Sequence, residues 1–347
     1  ITINKRKNSL SKKGNAKRSK GRIVAIASAA GVAVVFAALI ITNIFVPVKY
    51  LSAYLVARGE RQQGVLTVTF LDVGYGDCTL CELPDGKVLL IDGGDGAYAN
   101  TLSILRKLNS RGIDKIDYLI CSSVLGEYCG GLPEILRCKR VGTIFMPQLE
   151  NEYVTQAFAT FYSAAHGSGA QIAYSSYAQG FCGEDYFFTF LSPSQAGDPQ
   201  GFYAALDATV SQTNILNASA VMWLEYAGTS FAFTSSAGSA ALDGVLTDYE
   251  IITQTCGDYA PVGDFSVELE GCDVVSVPGH GSAQCSSAEW YDVLNPDVAV
   301  ISVGSNYSDY PSAQALADVC SAVDQPLLTQ VRGDITITVT AAGYEIS

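Results

Sequence analysis

Histidine is almost missing from this chain: 347 residues contain two, His166 and His280. No shift of register lets two imidazoles furnish a histidine-rich centre for a pair of transition ions, so that chemistry is excluded by arithmetic. Basic residues are scarce once the N-terminal tail is set aside. Nine of the 21 Lys and Arg (Lys5, Arg6, Lys7, Lys12, Lys13, Lys17, Arg18, Lys20 and Arg22) precede Ile23, so the rest of the chain carries 12 − 34 = −22. Affinity for nucleic acid rests on Lys and Arg neutralising phosphates, so nucleic acid is a disfavoured partner of the main domain. Repeats and low-complexity linkers are also lacking. Hydrophobic residues make up 48% of the chain, enough to bury a large core and to exclude disorder.

One stretch is long and free of charge. Residues 23–46, IVAIASAAGVAVVFAALIITNIFV, exceed the ~20 residues needed to span a bilayer. The run is longer than a signal-peptide core of roughly 7–15 residues, and no small-residue cleavage site follows promptly, so it reads as an uncleaved transmembrane helix. The basic tail, 1–22, lies on one side and the first acidic residue, Glu60, on the other. The positive-inside rule then places the tail in the cytoplasm and the main domain, 65–347, outside it, in a single-pass membrane protein. Residues 47–64 form a juxtamembrane connector. An outward-facing domain with ten cysteines sits where disulfides persist if the surroundings are oxidising. Cys78 and Cys81 form a C-x-x-C inside a strand, where positions three apart face opposite ways, so a zinc knuckle is not expected.

Strand patterns dominate after the connector. Val65 to Val73 alternates and Lys87 to Gly94 is a short apolar run stopped by glycines, and the turn at Pro84, Asp85 and Gly86 predicts that the two pair as a hairpin. Asn100 to Gly112 has helical spacing with a stopping glycine. KIDYLICSS is a strand, LPEILRCK a short helix, VGTIFMPQ a strand, and Glu152 to Gly169 a helix. Strands fill the second half: YFFTFLSP, the hairpin turning at Tyr226 to Gly228, CDVVSVPGHG, VAVISVG and DITITVTAAGYEI. Ser286 and Glu289 match a capping box for the helix SAEWYDVL. This order predicts an α/β fold, a sandwich of two sheets flanked by helices.

Four segments carry a resemblance: FLDVGYGDCTL (Phe70 to Leu80), LLIDGG (Leu89 to Gly94), YLICSSVLGEYCGGL (Tyr118 to Leu132) and VVSVPGHGS (Val274 to Ser282). Together with FAFTSSAG (Phe231 to Gly238) and TQVRGDITITV (Thr329 to Val339), they resemble the metallo-β-lactamase superfamily. Within it they are most similar to the extracytoplasmic hydrolase-like domain of the competence, or DNA-uptake, channel family typified by ComEC. The resemblance implies an αββα sandwich with a two-metal site, zinc or manganese in relatives, at one edge of the sheets. At the ligand positions of the His-x-His-x-Asp-His motif this chain has Ser123, Leu125, Glu127 and Tyr128. The bridging Asp is replaced by Ser236, the later His-His pair by Gly279 and His280, and Gly-His-Pro by Asp309, Tyr310 and Pro311.

The resemblance therefore implies a degenerate metal site, a pseudoenzyme that serves as a binding or scaffold domain for an extracytoplasmic ligand or protein, and no cofactor. The alternative is a divergent phosphodiesterase or nuclease-like hydrolase with a hard metal among Asp77, Asp92, Glu127, His280 and Asp309, or an accessory role in DNA uptake. Against the hard-metal site, Asp77 and Asp92 also suit bracing of turns, and Glu127 a solvated surface. Cys121 and Cys129 bracket the emptied loop, either as a disulfide or as two buried thiols. Tyrosine is abundant, at 19 residues, and clusters such as Tyr307 and Tyr310 suit either the lining of a groove or the amphipathic edges of a β protein.

Overall fold

The computed structural model describes residues 31–35, 37, 47–149, 154–176, 179–193, 206, 208–248, 253–255, 264–304 and 309–347. The expected membrane span at 23–46 lies outside them except at 31–35 and 37, which are helical. Among the described residues no helix is long and apolar enough to cross a membrane. The chain divides into two compact units, Ile1–Leu51 and Ser52–Ser347, and the described strands all lie in the second.

Seventeen strands are described: β1 (Leu66–Phe70), β2 (Thr79–Glu82), β3 (Val88–Ile91), β4 (Lys115–Ile120), β5 (Arg140–Met146), β6 (Gln171–Tyr174), β7 (Gly180–Cys182), β8 (Tyr186–Ser192), β9 (Val221–Tyr226), β10 (Thr229–Phe233), β11 (Thr253–Thr255), β12 (Asp264–Ser266), β13 (Val274–Ser276), β14 (Val298–Ile301), β15 (Leu327–Leu328), β16 (Ile335–Thr340) and β17 (Gly343–Ile346). The helices are α1 (Tyr98–Ser110), α2 (Gly126–Cys129), α3 (Leu132–Cys138), α4 (Gln156–Gly167), α5 (Gln212–Asn217), α6 (Ser239–Asp248), α7 (Ala288–Leu294), α8 (Ala313–Ala322) and α9 (Thr329–Arg332). One sheet has eight strands in the order β17-β16-β1-β2-β3-β4-β5-β6, a second has seven in the order β15-β14-β13-β10-β9-β8-β7, and β11 and β12 form a ribbon.

Period-two burial builds the layers. Leu66, Val68 and Phe70 of β1 meet Met222 and Leu224 of β9 in the core between the sheets, whereas Val221 and Trp223 point the other way. That outer face of the second sheet packs on Leu242 and Val245 of α6, Trp290 and Leu294 of α7, and Val319 of α8. Val88 and Leu90 of β3 pack on Ile104 and Leu108 of α1, Ile135 of α3 and Phe158 of α4. The result is the expected order of helices, sheet, sheet, helices. Parallel pairing of β3 with β4 and β4 with β5 needs crossovers, which α1 and α3 supply. The C-x-x-C faces opposite ways: Cys78 lies in the helix-side core and Cys81 in the core between the sheets.

Two local expectations are corrected. β1 and β3 are not hairpin partners, because β2 pairs antiparallel with both and the turn at Pro84 to Gly86 joins β2 to β3. Thr79–Glu82 is buried at every position, so it shows no alternation to read. The cap of α7 is Ser287, whose side chain accepts the Trp290 N–H, while Ser286 donates to Asp318 at 2.6 Å. The helix starts one residue later than the pattern suggests, leaving Glu289 out of capping-box register.

Candidate functional site

The loops after β3, β4, β10, β13 and β14 meet at one edge of the two sheets. Ala220 donates to the Ser122 carbonyl at 2.9 Å, Gly279 to Ser235 at 2.7 Å and Val277 to Val300 at 2.8 Å. Paired glycines lock the loops after β3 and β4 of the first sheet together. Gly93 donates to Tyr128 at 2.8 Å and Gly131 to Gly94 at 3.1 Å. A Cβ on Gly131 would lie 2.0 Å from the Gly93 carbonyl oxygen, so these backbones touch only because neither carries a side chain.

Asp92 ends β3 in the left-handed region (φ 61°) and is fully buried. One carboxyl oxygen accepts the Ser122 N–H at 2.9 Å and the other the Ser122 hydroxyl, which braces the start of the next loop. Burial, together with the neighbouring Asp77 charge, pushes Asp92 well above the usual carboxylate range. Asp77 is half-buried, donates its backbone N–H to the Glu127 carbonyl at 3.0 Å and accepts the Ser302 hydroxyl at 3.2 Å. Burial pushes it up to about 6, against the lowering effect of Ser302 and of the Cys78 N–H.

His280 follows β13 with φ 59°, between Gly279 (φ 57°) and Gly281 (φ 80°). Its Nδ1 lies 2.7 Å from the Ser302 carbonyl oxygen, which can only accept, so Nδ1 carries the proton and Nε2 a lone pair. Nε2 is buried with no hydrogen-bond partner. Burial lowers the pKa of the ring to about 4, which keeps it neutral. The imidazole packs on Tyr75 (centroids 4.8 Å apart) and Tyr128 (5.3 Å), and Tyr75 stacks with Tyr310 at 6.0 Å.

Ser123 and Ser236, from the two sheets, are joined through their hydroxyls at 2.8 Å, and Ser236 also lies 2.9 Å from the Ser219 hydroxyl. Tyr128 donates to the Ser235 carbonyl at 3.2 Å. Cys121 and Cys129 are buried free thiols, donating to the Ser123 and Val124 carbonyls at 3.3 and 3.7 Å, and burial plus the adjacent Cys129 pushes Cys121 up.

A cleft of about 340 Å³ opens beside His280. Of the residues singled out from sequence, Leu125, Glu127, Tyr128, Ser236, Gly279, His280 and Tyr310 line it. Asp77, Asp92 and Ser123 do not line it, although Asp77 reaches His280 through Ser302. Asp309 is an exposed turn residue outside the lining. Tyr75, Ser302, Cys285 and the α5 residues Ile215 and Leu216 escaped the sequence reading; the one signal was the Gly74-Tyr75-Gly76 bracket, which marks an aromatic held on a tight loop. Glu127 is half-buried rather than freely solvated, and its pKa is raised by that burial.

These residues do not fit a pair of zinc or manganese ions. Leu125 and Gly279 offer no donor atom, Ser123 and Ser236 spend their hydroxyls on one another, and the Tyr128 hydroxyl is used on a carbonyl. Among the described residues no three His, Cys, Asp or Glu side chains are grouped to hold a metal ion.

No family model matches the chain, and no curated protein does. Solved structures similar to it include the metallo-β-lactamase fold protein YhfI from Bacillus subtilis, at 9% identity and TM-score 0.46, covering 80% of this chain and 100% of that one. Tm1679, a metal-dependent hydrolase of the β-lactamase superfamily, is similar at 10% identity and TM-score 0.45, covering 76% and 94%. Zn(2+)-bound PqqB from Methylobacterium extorquens is similar at 9% identity and TM-score 0.41, covering 73% and 84%.

Proposed function

We propose that this chain is a membrane-anchored, extracytoplasmic domain of metallo-β-lactamase fold, ComEC-like in its motifs, that binds a ligand in the cleft beside His280 without hydrolysing it. The observation that carries the reading is the direct hydroxyl contact between Ser123 and Ser236 at 2.8 Å, at two positions where the resembling family places metal ligands. Hydroxyls that satisfy each other leave His280, Glu127 and the Cys285 thiol, which donates to the Ser236 carbonyl at 3.7 Å, as ligating types on the cleft wall, and among the described residues these are not grouped to hold an ion. A metal-activated hydroxide then has no source. The anchor is the uncharged run 23–46, and the basic tail before it supports a cytoplasmic N-terminus.

One observation favours a second reading, a divergent hydrolase: a neutral imidazole with Nδ1 on a carbonyl and Nε2 bare is also the arrangement of a metal-bound histidine. Metal analysis of the full chain, purified without a histidine tag, separates the two. The binding-domain reading expects less than about one equivalent of metal and no phosphodiester hydrolysis with added manganese. Two tightly bound ions, with turnover lost on stripping, would overturn it.

A further inference from the structure

The cleft has an unusual wall chemistry. Tyr75, Tyr128 and Tyr310 contribute aromatic rings, Glu127 a carboxylate and His280 an imidazole, while no Lys or Arg is among the described lining residues. His280 is 3% exposed, and its Nε2 is buried without a protein partner, which leaves a polar atom for a ligand or a water to satisfy. The tautomer fixed by Ser302 makes that nitrogen an acceptor, so the missing partner is a donor. The tyrosine rings present negative π faces, Glu127 adds formal charge, and the chain beyond residue 22 carries −22. Such a wall repels carboxylates and phosphates. Leu125, Ile215 and Leu216 supply an apolar side for a hydrocarbon stem.

We infer that the cleft binds a protonated primary amine on an apolar stem, with the ammonium donating to His280 Nε2 and Glu127 beside the tyrosine rings. The inference rests on the binding-domain reading and names its ligand class. A quaternary ammonium matches the rings and the charge but has no N–H for Nε2, so the site discriminates in favour of the primary amine.

Calorimetric titration of the full chain in detergent with hexylammonium, hexyltrimethylammonium and hexanoate tests this. Hexylammonium is expected to bind, the trimethyl analogue at least about fivefold more weakly, and hexanoate not at all. Glu127→Gln should weaken hexylammonium by about fivefold or more, and Tyr310→Leu, which removes a ring and no charge, by a smaller factor. Because the chain has only two histidines, the His280 Nε2 resonance is readily assigned by 15N NMR and should shift on adding hexylammonium while that of His166 stays put. Overturning results are no hexylammonium binding by the wild type, equal binding of hexanoate, undiminished binding in Glu127→Gln, or an unmoved His280 resonance. Failure here with low metal content leaves the binding-domain reading standing, whereas tightly bound metal with turnover overturns that reading whatever the amine does.

Discussion

The hydroxyl of Ser236 donates to that of Ser123 at 2.8 Å, tying the loop after β10 in one sheet to the loop after β4 in the other. Both residues are buried, so removing either hydroxyl leaves a polar partner without water to replace it. Ser236→Ala and Ser123→Ala should each cost about 1–2 kcal/mol, and the double variant less than their sum by about 0.5–1 kcal/mol. Urea denaturation of the four proteins in the cycle measures the coupling. Additive losses would mean that the contact contributes nothing.

A carboxyl whose pKa rises on folding makes the fold sensitive to alkali. Asp77, raised from the ordinary 3.8 to about 6, contributes stability that is fully present below the lower value and lost as pH rises through about 6. Asp92, which faces it, and Glu127 on the same loop edge are raised as well and act in the same direction. His280 acts oppositely: lowered from 6.5 to about 4, its contribution is present above 6.5 and lost as pH falls through about 4. Between pH 4 and 6.5 the carboxyls and His280 pull in opposite directions, and Asp77→Asn, which removes one carboxyl's share, should make the thermal midpoint rise more steeply with pH than in wild type and leave the variant more stable at pH 7.5, by up to about 3 kcal/mol. Differential scanning calorimetry across the window checks both.

The legible parts of this chain were those where local chemistry and tertiary need agree. The β9–β10 turn needs two residues of positive φ, and Ala227 (φ 52°) and Gly228 (φ 75°) meet it. Gly112 (φ 66°) stops α1 where its position in the sequence suggests. The stretch around Cys78 and Cys81 reads as a strand, but the place of β2 between β1 and β3 was hidden because both its faces are buried, and short strands such as β6 and β7 carry too few residues to show a period. At the site, the loop residues could be named from their motifs, but their use could not. Whether Asp92 faces solvent, metal or the Ser122 hydroxyl depends on a residue 30 positions away. Tyr75 gains its meaning from His280, 205 positions later, a pairing that only the assembled sheets create.

Thiol chemistry should divide the cysteines by burial. Cys121 and Cys129 donate to carbonyls and are sealed from solvent, and Cys285 is buried and pushed up to about 12, so a reagent in water reaches none of the three readily. Cys320 is exposed. Iodoacetamide on the native protein should label Cys320 within minutes and the buried three only after unfolding, as read by peptide mass mapping. Rapid native labelling of Cys121 or Cys129 would show that the loop opens.

The glycine lock gives the sharpest prediction about the loop that carries Glu127. At Gly131 a methyl would stand 2.0 Å from the Gly93 carbonyl oxygen, and backbone cannot rotate away as a side-chain tip can. Gly131→Ala must therefore part the loops after β3 and β4, breaking the Gly131 to Gly94 hydrogen bond and shifting α2 with them. A loss of at least about 2–3 kcal/mol is expected. Gly271→Ala is the control: it also lies on a loop, with φ 76°, but an added Cβ meets nothing, so it should cost about 1–2 kcal/mol from backbone strain alone. If the two variants unfold at the same denaturant concentration, close approach is not what the paired glycines provide, and the placement of Glu127 at the cleft needs another cause.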